Sequence, residues 1–187
     1  MIELTALWLP ILLSSVFVFI ASSVIHMIPL WHDSDYPKMK QEDQLMSALR
    51  PFNLAPGEYL VPRPATRKDM KSPEFDAKMK EGPVALITVI SASTLMNMGP
   101  TLIKWIGYIL FLAIGTACIA GNVLTQGTPY MHVFKIVGSI SFLAYAGALW
   151  PQSIWYGRPS SLALKGCLDA LIYASLTAGT FGWLWPH

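Results

Sequence analysis

Charge is distributed along this 187-residue chain so unevenly that it fixes the architecture before any motif is considered. Of 24 Asp, Glu, Lys and Arg residues, 18 lie between Asp33 and Glu81, and the remaining six are spread over everything else. Between Glu3 and His26 there is no ionisable side chain at all. A run of that length, at 1.5 Å rise per helical residue, crosses a hydrocarbon core of about 30 Å. Three further apolar stretches follow, at 101–124, 130–154 and 161–185. The chain as a whole is 53% hydrophobic and 13% charged, where soluble domains carry about 25% charged residues. Exposed to water, that excess would form apolar patches that soluble monomers rarely tolerate. Seven Trp and seven Tyr suit a chain with two membrane interfaces.

The expected fold is therefore an all-α membrane protein of four transmembrane helices, with a small mixed α/β cytoplasmic insertion between helices 1 and 2. The expected domains are a first span at 1–30, a polar domain at 31–100, and a three-helix bundle at 101–187. The first span reads as retained rather than cleaved: its flank is acidic at Glu3, lacks Lys and Arg, and precedes an apolar run too long for a signal h-region. Pro10 predicts a kink near its start. Within the polar section, Met39–Leu49 has the apolar spacing of a short amphipathic helix, and Gly57–Val61 that of a strand. Ser72-Pro73-Glu74 marks a helix start, and Gly82 its end. Val84–Met98 is short for a span and rich in β-branched residues, so a buried strand or a segment lying along the bilayer is expected ahead of the alternative, a fifth spanning or re-entrant helix.

Nine Lys or Arg between Lys38 and Lys80, joined by Lys104, Arg158 and Lys165, all fall on the same side of the four spans. Loops rich in Lys and Arg stay inside, so both termini are expected to be extracytoplasmic, and the compartment to be a bacterial inner membrane. Lys135 lies near the opposite interface, where its stem can snorkel.

The last span carries Gly166, Ala170, Ala174, Ala178 and Gly182 at every fourth position. Small residues in that register let helix backbones approach closely, the main packing force available in lipid. Ala113, Ala117 and Gly121 repeat the pattern in the second span. This predicts a tight bundle of spans two to four, or a face for another subunit.

Asp169 is the most pointed candidate for chemistry, since an acid within a span is costly unless paired. Lys165 and Tyr173 lie four residues to either side on the same face, and His26 and Lys104 are expected at similar depth. These five form a candidate polar cluster. It reads either as an ion pair of Asp169 with a lysine that pins helices together, or as an ion, proton or headgroup site. His26, His32, Asp33 and Asp35 have metal-ligating atom types, but their spacing matches no zinc motif. His26 and His132 fall at opposite ends and exclude a shared haem. The two cysteines, Cys118 and Cys167, suit small apolar packing. No Gly-x-Ser-x-Gly turn and no Gly-rich phosphate loop is present. Accordingly no catalytic residue, metal or cofactor is expected.

Phe19-Ile20-Ala21-Ser22-Ser23, Trp31-His32-Asp33-Ser34-Asp35-Tyr36 and Ala178-Gly179-Thr180-Phe181-Gly182-Trp183-Leu184-Trp185-Pro186 resemble segments of small bacterial four-helix inner-membrane proteins. The resemblance covers most of the chain and implies the same membrane placement, but no activity, cofactor or catalytic residue. The sequence favours a non-enzymatic accessory or assembly subunit of a larger membrane complex, in contact with lipid and with other subunits or copies of itself. The net charge of +2 argues against nucleic acid. Two alternatives remain: a transporter or channel protomer with Asp169 near the pathway, and an interfacial enzyme acting on lipid through a pocket of His26, His32 and Asp169.

Overall fold

The computed structural model describes residues 1–28 and 31–187. Pro29 and Leu30, the expected end of the first span, lie outside the described residues. The chain is 70% helical with one small two-stranded sheet. It forms two compact units, residues 1–37 together with 99–187, and residues 38–98.

Among the described residues, four helical segments are long and apolar enough to span a membrane: Leu4–Met27, Met98–Val123, Tyr130–Tyr156 and Ser160–Trp183. In the first, a 3₁₀ turn at Leu4–Leu7 passes into α1, Trp8–Met27. Pro10 thereby sits in the first turn of α1, where a missing N–H costs nothing, and the change of helix type falls just before it. The second, α5, runs Met98–Val123 with Pro100 in its first turn, so this proline opens the helix rather than preceding it. The third is not continuous as expected. It divides into α6, Tyr130–Ala146, and α7, Leu149–Tyr156. The cause is Pro151, which has no N–H for the Gly147 carbonyl four residues back and whose ring would collide with it. The last span is α8, Ser160–Trp183.

α8 packs along α1, α6 and α7. Its small-residue ridge is consumed inside the chain. The Ala178 Cβ lies 3.4 Å from where a Cβ on Gly138 of α6 would stand. At Gly182 a Cβ would stand 2.7 Å from the Tyr130 ring, so only glycine lets that ring close over α8. Gly166 faces Leu149 of α7 in the same way. Ala170, Ala174 and Ala178 are buried. The second-span set, Ala113, Ala117 and Gly121, is buried too, and Ala113 and Ala117 share a core with Leu7, Val133, Val137 and Phe181. The bundle thus includes the first span, which small-residue spacing had left out. Several serine and threonine hydroxyls within the spans are satisfied by carbonyls of their own helix, as Ser15 is by Ile11 at 2.7 Å and Thr177 by Tyr173 at 2.9 Å.

In the second unit, α2 is Glu42–Leu49 and α3 is Pro73–Glu81. The Ser72 hydroxyl accepts from the Phe75 N–H at 3.1 Å, and Gly82 ends α3 at φ 62°, as the cap residues foretold. β1, Gly57–Val61, pairs antiparallel with β2, Ala85–Val89, joining Gly57 to Val89 and Val61 to Ala85. The ambiguous segment after Pro83 thus becomes a strand and a short helix α4, Ala92–Met96, although β2 is not buried. The strand follows from its β-branched residues, while burial would need a second layer, which a two-stranded sheet lacks.

Ala178→Leu should overfill the α6–α8 contact and destabilise the bundle by about 1–3 kcal/mol. The exposed Leu164→Ala should change stability by no more than about 0.5 kcal/mol. Equilibrium unfolding in mixed micelles, followed by Trp fluorescence, measures both.

Candidate functional site

Residues 31–37 follow the C-terminal end of α1 and lie against the first third of α8. A 3₁₀ turn at Asp33–Asp35 presents His32 and Asp35 on one side. Along α8, Lys165, Asp169 and Tyr173 recur every fourth residue, which stacks them on one ridge. The contacts between turn and ridge form a closed network. His32 places Nδ1 2.7 Å from Asp35 Oδ2 and Nε2 2.8 Å from Asp169 Oδ2. Each ring nitrogen of His32 thus faces one carboxylate oxygen. Trp31 Nε1 donates to the second oxygen, Asp169 Oδ1, at 3.0 Å. Lys165 Nζ donates to Ser34 Oγ at 2.9 Å, to Asp35 Oδ1 and to the Trp31 carbonyl, which uses all three of its hydrogens. Two acids and two bases balance, and the polar atoms are matched where lipid would offer no partner.

Asp35 lies outside the spans. Partial burial works to raise its pKa, but hydrogen bonds from Lys165 and His32 outweigh burial and hold the carboxyl below its ordinary value of 3.8.

The sequence-derived cluster is brought together in part. His26, Lys165, Asp169 and Tyr173 gather at this end of the bundle. Lys104 does not join them: it is exposed, and among the described residues it makes no ion pair. Its neighbour Trp105 points inward instead and donates to Ser22 Oγ of α1 at 2.8 Å. The Asp169–lysine pair also takes a different form. Asp169 bonds His32 and Trp31, and Lys165 reaches the acid only through Asp35 and His32. Spacing along α8 made Lys165 the natural partner, but the turn at 31–35 comes between them. Asp35 was named only among possible metal ligands, and Trp31 and Ser34 were missed as participants. Their one signal was the density of polar residues just after an apolar run, which reads equally as a membrane boundary.

Beside the network lies a cavity of about 260 Å³, bordered by His26, Trp105, Tyr108, Tyr145, Asp169 and Tyr173 among others. Its aromatic wall is ordered by ring contacts: Tyr145 meets Tyr173 edge-on at 5.4 Å, and Trp105 stacks on Tyr108 at 5.7 Å. Among the described residues, the Tyr173 hydroxyl is the buried side-chain polar atom without a hydrogen-bond partner. His26 lies with its ring centroid 4.6 Å from that of His32. Donor atoms of His26, His32 and Asp169 all fall within 4.8 Å of one another.

No family model, curated protein or solved structure matches the chain. The site is therefore read from its own chemistry.

Asp169→Ala leaves His32 and Trp31 without their acceptor in a buried setting and should cost about 3–5 kcal/mol. Asp169→Asn, which keeps an oxygen for Trp31, should cost less; chemical unfolding in micelles ranks the two. Because the folded Asp35 pKa is depressed, its stabilisation is complete above 3.8 and is lost as pH falls through the lower folded value. Asp35→Asn should therefore flatten the acid limb of the stability–pH curve, measured from about pH 6 to about pH 3.

Proposed function

We propose that this chain is a non-enzymatic accessory subunit of a larger inner-membrane assembly. The charged unit faces the cytoplasm, and both termini lie outside. One observation carries the reading: none of the described residues in 38–98 is buried. A unit of that size ordinarily stands on a core, and an isolated two-stranded sheet is marginal in water. Here Leu60, Leu86 and Met79 remain exposed on folded elements. These side chains are accounted for if a second polypeptide covers them. The small-residue ridge of α8 is already filled from within, so it is not the face an assembly would use. The nine cations between Lys38 and Lys80 support the inward orientation.

A second reading, a membrane-interface enzyme acting on lipid, is favoured by the cavity that His26 and Asp169 border. It requires headgroup turnover by the purified chain.

Extraction from native membranes in lipid-polymer particles, followed by native mass measurement, tests assembly. The expected result is a particle carrying further polypeptide beyond one 20.7 kDa chain. A single chain alone, with residues 38–98 resistant to protease, would refute the reading. For orientation, Lys71→Cys in a background of Cys118→Ser and Cys167→Ala should react with an impermeant maleimide only after the cells are opened. Labelling of intact cells would reverse the topology.

A further inference from the structure

The geometry points to a divalent first-row transition-metal site built from His26, His32 and Asp169, with its remaining coordination position open to the neighbouring cavity. This inference does not depend on the chain's belonging to an assembly.

Three features of the structure point to an ion, and the first exceeds what a helix-pinning network requires. The first is His26. Pinning is complete with Lys165, Asp35, His32, Asp169 and Trp31, yet α1 places a second imidazole against His32, at 4.6 Å between ring centroids. Among the described residues the His26 ring has no hydrogen-bond partner, so both of its nitrogens are uncommitted. The second is convergence. One donor atom each from His26, His32 and Asp169 fits within 4.8 Å. Bonds of about 2.0–2.2 Å around a tetrahedral ion put neighbouring ligand atoms roughly 3.3–3.6 Å apart. The His32–Asp169 pair, at 2.8 Å, has to open slightly, and His26 has to swing inward. Both movements lie within side-chain rotation, and His26 is exposed and free to make its own.

The third feature is the support around the donors. A metal-bound histidine ordinarily gives its other N–H to a carboxylate, which fixes tautomer and ring orientation. Asp35 stands 2.7 Å from His32 Nδ1 and is itself held by Lys165. That leaves His32 Nε2 for the ion. Trp31 Nε1, bonded to Asp169 Oδ1, orients the acid so that Oδ2 is the ligating oxygen. An independent sign that something polar enters here is the buried Tyr173 hydroxyl, without a partner and bordering the same cavity as His26 and Asp169. Water or a small ligand on the open position would supply what that hydroxyl lacks.

The donor set selects the ion. Two imidazoles and one carboxylate suit zinc and its first-row neighbours, whereas calcium and magnesium take oxygen ligands. Three protein ligands with one open position are the arrangement of metal sites that bind a further molecule, not of purely structural ones.

The full chain, purified without a polyhistidine tag and held in lipid nanodiscs, should be titrated with cobalt(II) chloride and separately with zinc chloride. Visible absorption reads cobalt coordination, and elemental analysis after gel filtration reads stoichiometry. One ion per chain is expected, with cobalt bands showing nitrogen ligation. His26→Ala should weaken binding by more than the roughly 10–100-fold typical of an outer-shell partner, with an unchanged circular dichroism melt because, among the described residues, His26 makes no hydrogen bond of the network. Asp35→Asn should weaken it by about 10–100-fold, while Asp33→Asn, His132→Ala and His187→Ala leave it intact. Sub-stoichiometric uptake by the unaltered chain would overturn the proposal. So would equal affinity in His26→Ala, even if His32→Ala and Asp169→Ala proved too unstable to purify.

Discussion

In hydrocarbon a polar atom either finds a partner within the protein or costs several kcal/mol, and the fold of this chain is organised around that constraint on α8. Two neighbouring ridges of that helix are buried. One is the small-residue ridge ending at Gly182, which lets α6 and α7 approach. The other carries Asp169, Tyr173, Thr177 and Phe181, all buried, with Lys165 at its head. The opposite face, with Leu164, Leu168 and Leu171, is exposed and apolar. One helix therefore sets both the bundle's tightest contact and its most polar one, and the two are coupled. A polar ridge can be buried this deeply only because its small neighbours bring other elements close enough to cover it.

The spans were legible because their signal is summed over twenty or more residues, and no local detail cancels it. The caps of α3 were legible because Ser72, Pro73 and Gly82 act on backbone groups within one turn. The break between α6 and α7 was equally local, and Pro151 encoded it, but the high hydropathy on both sides concealed a helix interruption. At the site, spacing on α8 found Lys165, Asp169 and Tyr173, since four residues is one turn. It could not find Trp31 or Asp35 as their partners, because those contacts depend on how residues 31–37 turn back after the first span. Lys104 failed for a related reason: depth along a helix was readable, but the direction it faced was not, and Trp105 took the inward position.

The polar unit shows the reverse. Its elements were largely foreseeable from punctuation by proline and glycine, while its energetics were not. β1 and β2 pair in a regular register, yet neither they nor α3 bury a side chain completely. Secondary structure without a core is what a segment shows when the surface that completes it belongs to another molecule, and this links the missing core to the proposed assembly.

The network around Asp169 admits a stricter test of purpose than its charges alone. A pin between helices is complete once every donor has an acceptor, and Lys165, Asp35, His32 and Asp169, together with Trp31 and Ser34, already meet that condition. A structural network has no use for an additional imidazole beside His32, and the buried Tyr173 hydroxyl beside a cavity carries a cost that an apolar side chain would avoid. His26 and Tyr173 supply those two excesses at one place. An ion accepted by His26, His32 and Asp169 would use the first, and whatever completes its coordination would satisfy the second, while Asp35, Lys165 and Trp31 keep the positions they hold now.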